Sequence, residues 1–264
     1  MEETKESTTI TDDASASSAK VASQNSSTTK KTEKKSDNDR LPKLEEMLKA
    51  GVHFGHQKGR WNPKASSYIF GEHGGTHIIN LEITLKKFEL ALDKIKDIIE
   101  KQGIILFLGT KKQICSLVKK TAEENTMPYV SERWLGGTFT NFSTISRRIK
   151  KLLELERKEN EGSLGHYTKK EQTKFRQEIR DFEKNMGGIK NLTKLPEALF
   201  VIGVKEEKTA IAEAKKTGVP IIGLVDTNID PKEIDFPIPA NDDSLKSVEL
   251  LLNYVSKEIK KTKK

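Results

Sequence analysis

Apolar positions along this chain follow two rhythms that take turns. Leu85, Phe88, Leu92, Ile95 and Ile99 recur at three and four residues, which predicts an amphipathic helix. Residues 104–108 are then an unbroken apolar run ending in Gly109-Thr110, the pattern of a strand buried on both faces. The same alternation continues with a helix over 111–125, a brief strand at 129–130 after Pro128, a strand at 199–202, a helix near 205–217, and strands at 221–225 and 236–238. Ser244 is placed to cap a closing helix with Leu245, Val248, Leu251, Leu252 and Val255 on its apolar side. Earlier in the chain, Leu44, Met47 and Leu48 mark a short helical turn ended by Gly51, and residues 68–70 and 77–80 read as strands around Gly74-Gly75. Strand alternating with helix predicts an α/β fold, a parallel sheet with helices on both faces.

One stretch departs from that plan. Ile145, Ile149 and Leu152 hold helical spacing through about residue 161, residues 162–165 break it, and Phe175, Ile179, Phe182 and Met186 resume it. Each segment has one narrow apolar seam in a densely charged surface, so the two pair as an antiparallel hairpin ended by Gly187-Gly188. About twenty residues per arm reach ~30 Å. The α/β domain is therefore expected over 41–141 and 187–264, with 142–186 as a helical hairpin insertion.

Between strand and hairpin lies Arg133-Trp-Leu-Gly-Gly-Thr-Phe-Thr-Asn141. Gly136-Gly137 permits positive φ or close approach, and the loop can turn backbone N–H groups, a guanidinium and a ring toward phosphates. It reads equally well as a tight turn with Trp134 tucked into the core.

Charge decides what kind of partner to seek. The 264 residues carry a net +8, with pI ≈ 9.2 and 33% charged side chains. Residues 1–40 sum to −1, so the remaining body holds about +9. Such a body favours a polyanion or an acidic membrane surface over the bland alternative of a lysine-rich soluble protein. Residues 1–40, rich in Ser, Thr and Lys, cannot bury enough surface to fold and read as a disordered tail. A single cysteine, Cys115, excludes an intramolecular disulfide and reads as a small core residue. No apolar run is long enough for a membrane span and no secretory signal is visible, so a cytoplasmic protein is expected.

The candidate chemistry is sparse. His53 and His56 flank Phe-Gly, and Lys58, Arg60, Trp61 and Lys64 follow, mixing cations with an aromatic face suited to stacking and phosphate contact. Gly109-Thr110-Lys111 can touch a phosphate at a helix N-terminus. No dinucleotide or P-loop glycine signature occurs, nor a nucleophile elbow, and no catalytic residues are expected. Asp226, Asp242 and Asp243 follow strands and share an edge at which a histidine can join them, a donor set for zinc or, with more oxygen, magnesium. The same aspartates serve equally as an Asx turn and a helix N-terminus, and spacing alone leaves both readings open.

His-Phe-Gly-His at 53–56, Arg-Trp-Asn-Pro-Lys at 60–64, Ile-Asn-Leu-Glu at 79–82 and Arg-Trp-Leu-Gly-Gly at 133–137 stand in that order. Leu-Pro-Glu-Ala-Leu-Phe-Val-Ile at 195–202, Val-Asp-Thr-Asn at 225–228 and Ile-Pro-Ala-Asn-Asp-Asp at 238–243 complete the series. Together they resemble the bacterial ribosomal protein S2 family over residues 44–259, and Tyr-Thr-Lys-Lys-Glu at 167–171 resembles its bacterial and organellar branch. The resemblance implies a flavodoxin-like sheet carrying a protruding coiled coil, on the small ribosomal subunit, binding ribosomal RNA without catalysis. It also implies neighbouring small-subunit proteins and recruitment of the messenger-binding protein S1. The metal of some bacterial members falls at His56, Asp226, Asp242 and Asp243 here, although no cofactor is required. The N-terminal extension departs from the family pattern.

On this reading Lys58, Arg60, Lys64, Arg133, Arg147, Arg148, Lys150 and Lys151 contact phosphates. Trp61 and Trp134 pack or stack, and Asn141 bonds to the RNA backbone. Two rivals stand beside it: a nucleotide-binding enzyme on the same sheet, and an adaptor whose hairpin binds protein alone.

Overall fold

The computed structural model describes residues 40–163 and 167–263. The expected tail lies outside them except for Arg40, whose guanidinium reaches Asp93 at 2.7 Å and Glu258 at 3.0 Å. The hairpin's turn falls partly outside them as well.

Helix α1 (Leu44–Ala50) ends on Gly51, whose φ of 75° turns its N–H back to the carbonyls of Met47 and Leu48. A three-stranded antiparallel sheet follows, built from β1 (Phe54–Gln57), β2 (Ile69–His73) and β3 (Thr76–Ile79) in the order β1-β3-β2. The sequence pattern foresees β2 and β3 but not β1. Its four residues include a glycine and two polar side chains, so neither alternation nor an apolar run marks them.

Helix α2 (Leu81–Glu100) begins at Asn80, whose Oδ1 accepts from the N–H groups of Glu82 and Ile83, a cap worth ~1 kcal/mol. It buries Phe88, Leu92 and Ile95 completely, each contributing about 1.5–3 kcal/mol. The main sheet comprises β4 (Ile105–Leu108), β5 (Tyr129–Val130), β6 (Ala198–Val201), β7 (Ile221–Val225) and β8 (Phe236–Pro239). All its pairings are parallel and the order is β5-β4-β6-β7-β8. Counted within the sheet, that is the flavodoxin-like order of a doubly wound fold.

The helices of the main sheet divide between its faces. Ile105, Phe107, Phe200, Ile222 and Leu224 pack with α2, α3 (Cys115–Glu124) and α7 (Leu245–Thr262). Leu106, Leu108, Leu199 and Val201 pack with α6 (Lys208–Thr217), Trp134, Phe139 and the root of the hairpin. The hairpin consists of α4 (Phe142–Asn160) and α5 (Lys169–Met186). Ion pairs join Lys151 to Glu178 and Glu159 to Arg176, so the partners run in opposite chain directions. Ile145 and Ile149 root α4 in the core, whereas Leu152 and Leu155 lie farther along the same buried seam. Two contacts brace the base. A Cβ on Gly188 would stand 2.3 Å from the Tyr129 carbonyl oxygen, and Lys190 bonds Glu156 at 2.7 Å while also pairing with Glu183.

Three local readings change. The helix after β4 starts at Cys115 rather than residue 111, and that cysteine is half-buried with its thiol turned to the Lys112 carbonyl, not a core residue. The next helix starts at Lys208 rather than 205. Ser244 occupies the N-cap of α7 but makes no side-chain cap bond; Asn241 Oδ1 accepts from the N–H groups of Asp243 and Ser244 instead. Among the described residues, no helix is long and apolar enough to cross a membrane.

Candidate functional site

Three sets of side chains cluster at the carboxyl ends of the parallel strands. The first is acidic. Asp226, buried at the end of β7, places Oδ2 3.0 Å from His56 Nδ1, and His56 Nε2 lies 3.4 Å from Asp243 Oδ2. The bond to Asp226 raises the His56 pKa against the effect of burial. Asn228 places its amide nitrogen 2.8 Å from Nε2, while its buried oxygen has no partner among the described residues. Which of the two groups donates depends on the His56 tautomer and the orientation of the amide.

His56 reaches this cluster because β1 presses against the end of β7. A Cβ on Gly55 would lie 2.6 Å from a Thr227 methyl, and the His56 N–H donates to the Thr227 hydroxyl at 2.8 Å. Ligand atoms of His56, Asp226 and Asp243 lie within 4.8 Å of one another. One imidazole and two carboxylates fit zinc with a position left for water better than they fit oxygen-seeking magnesium. Asp242, the fourth expected ligand, stands outside that triad. Its carboxylate holds the Lys111 ammonium at 2.8 Å, and the same ammonium bonds Asp243 at 2.9 Å. Burial still pushes the Asp242 pKa up to about 6 against the pull of Lys111.

The second set closes the turn after β4. The N–H and hydroxyl of Thr110 both donate to Glu207, a buried carboxyl whose pKa burial raises. The position considered for a phosphate at Gly109-Thr110-Lys111 is therefore filled by the protein's own side chain, and α3 begins too late to present its N-terminus there.

The third set is the loop from Arg133 to Asn141. Trp134 is 8% exposed, meets Phe139 edge-on at 4.9 Å and donates its indole N–H to Glu213. Its ring belongs to the core and is not open to stacking. Glu213 also accepts from the N–H groups of Gly137, Phe139 and Thr140, so the expected anion nest is occupied from within. Burial alone would raise this carboxyl; the donors outweigh it and hold the pKa below the usual carboxylate range. Asn141 is exposed at the start of α4 and leaves the helix uncapped, its Oδ1 accepting from Ser143 Oγ at 3.3 Å.

The expected phosphate contacts separate by partner. Lys58 pairs with Glu72 at 2.9 Å, Lys64 with Asp230 at 2.5 Å, and Lys151 with Glu178. Among the described residues Arg147 reaches only the Ser143 carbonyl and the Thr144 hydroxyl on its own helix. Arg60, Arg133, Arg148 and Lys150 are exposed and have no ion-pair partner among the described residues. Trp61 is half-buried, its ring 5.0 Å from that of His77.

Residues 47–262 match the family described as ribosomal protein S2. The chain belongs to the ribosomal protein S2 family. It is also 47% identical over 217 residues to the small ribosomal subunit protein uS2 of Fusobacterium nucleatum subsp. nucleatum, covering 82% of this chain and 88% of that one. In this S2-family chain the residue that sequence reasoning missed is Glu213. Its signal was faint: a carboxylate set between Ala210, Ile211 and Ala214, on the side of α6 that faces the core.

Proposed function

We propose that this chain is a structural component of the small ribosomal subunit that grips ribosomal RNA and supports translation in cytoplasmic ribosomes. The observation that carries the reading is the group of unpartnered cations at the root of the hairpin. Arg133, just before the hairpin, and Arg148 and Lys150, on the first turns of α4, are exposed and have no ion-pair partner among the described residues. A folded polyanion supplies the missing countercharge, and RNA phosphates bound this way release counterions and make affinity fall steeply with salt. Arg60 and Trp61 extend the contact from the early loop, and Asn141 and Arg147 border it. The test is binding of the full chain to small subunits stripped of it, measured between 50 and 200 mM salt. A steep fall in affinity is expected; affinity indifferent to salt rejects RNA as the main contact.

The reading includes neighbouring small-subunit proteins, and docking of the messenger-binding protein S1 on the hairpin. Leu153 at 45% and Tyr167 at 41% exposure give the arm apolar surface that RNA does not need. Leu153→Ser with Tyr167→Ser should weaken retention of S1 while sparing RNA affinity. Equal retention by wild type and variant rejects this part. His56, Asp226 and Asp243 would hold a zinc ion as a structural tie between β1 and the end of β7. Calorimetric titration with zinc should then give a single site that His56→Ala abolishes.

A further inference from the structure

The geometry points to Glu213 as the positioning residue that shapes the RNA-facing loop from beneath, an inference that rests on the proposed RNA contact. Its two carboxylate oxygens collect five hydrogen bonds from one loop. Oε1 accepts from Trp134 Nε1 at 3.2 Å and the Gly137 N–H at 2.7 Å. Oε2 accepts from the N–H of Phe139 at 3.0 Å and from the N–H and hydroxyl of Thr140, each at 3.2 Å. The carboxylate is 8% exposed, and the helix carrying it is locked to the sheet through Ala210, Ile211 and Ala214.

The loop's own backbone bonds are few. Thr138 N–H returns to the Leu135 carbonyl and Asn141 N–H to the Gly137 carbonyl, with Gly137 at φ +90°. Neither bond fixes the loop relative to the sheet. The buried rings of Trp134 and Phe139 anchor it in the core, and Glu213 fixes the backbone between and beyond them, because donors from both sides of the glycine pair converge on one rigid point. Arg133 is joined to Trp134 at the near end of that arrangement, and Asn141, which opens α4, follows Thr140 at the far end. The carboxylate thereby sets where Arg133 stands relative to Arg148 and Lys150, although it touches no RNA itself.

Neutralising the group without changing its shape tests this. Glu213→Gln turns one acceptor into a donor facing N–H groups, so the loop must rearrange. Binding to stripped small subunits at 0.1 M salt should weaken about tenfold, and the slope of log affinity against log salt should shrink by about one, the signature of a lost phosphate contact. A merely structural role would lower the folded fraction and leave the slope unchanged. Glu207→Gln, a buried carboxyl of the neighbouring turn bonded only to Thr110, should move neither quantity. Combined with Arg133→Gln, the Glu213 change should add almost nothing, since both act on the same contact.

Should Glu213→Gln fail to fold, Glu213→Asp keeps the charge and withdraws it by one methylene, and an intermediate loss of slope is expected. Unchanged slope in the folded variant, or full additivity with Arg133→Gln, overturns the inference. Flat salt dependence in the wild type overturns the RNA contact itself, so the two failures are told apart.

Discussion

The early loop around residues 58–64 and the hairpin root around residues 133–151 carry similar cations and each a tryptophan, yet they are built in opposite ways. In the early loop two of the three cations are paired, Lys58 with Glu72 and Lys64 with Asp230, while Arg60 has no partner among the described residues and Trp61 is half-buried against His77. At the root, the tryptophan is sunk in the core and a buried carboxylate organises the backbone; Lys151 is paired with Glu178, but Arg133, Arg148 and Lys150 have no ion-pair partner among the described residues. Counting basic residues therefore overstates the first region more than the second. A cation already paired must give up a neighbour before it meets a phosphate, whereas an unpaired one gains outright.

The contrast can be broken most severely at the tryptophans. Trp134→Ala removes a buried ring and one of Glu213's donors, and should cost about 3–5 kcal/mol in denaturant unfolding. Trp61→Ala, at a half-buried ring, should cost less than half as much, and equal losses would erase the distinction. Next in size is charge removal. Replacing Arg133, Arg148 and Lys150 by glutamine should weaken binding to stripped small subunits on the order of a hundredfold at 0.1 M salt. The same change at Lys58 and Lys64 should stay within about threefold. Comparable losses from both sets would show that the internal pairs do not matter.

The smallest expected effect is on acid stability. The native pKa of Glu213 lies below its ordinary value of 4.5. Its ionised form therefore stabilises the fold above pH 4.5, and that contribution is lost as pH falls through the lower native pKa. Glu213→Gln should remove this part of the acid sensitivity, so that the stability gap between wild type and variant narrows below pH 4.5 in urea titrations.

Much of this architecture was legible in the chain because burial imposes rhythm. The helix through Phe88 and Ile95 and the strand over 221–225 are seen where the apolar periods put them, since each element buries one face or both. Strand β1 was hidden because what holds it is the closeness of Gly55 to Thr227, which leaves no mark in local alternation. The turn that Asn241 makes ahead of α7, accepting from the N–H groups of Asp243 and Ser244, was hidden behind the nearer Ser244, which looked like the cap. At the candidate site, the residues were legible and their partners were not. Nothing within the loop forecasts that its amides close on a carboxylate 76 residues away, or that Lys111 crosses to Asp242. Long-range pairing decides which charges remain for a ligand, and periodicity is silent about it.

The bracing at the foot of the hairpin has a leverage consequence. Helix α4 has 19 residues and so extends ~28 Å from its base at about 1.5 Å per residue. A tilt of about five degrees there would sweep the far end through ~2.5 Å, close to the length of one hydrogen bond. The snug seat of Gly188 on Tyr129 and the double grip of Lys190 on Glu156 and Glu183 thus aim the whole arm. Loosening either would misdirect residues that the change itself never touches.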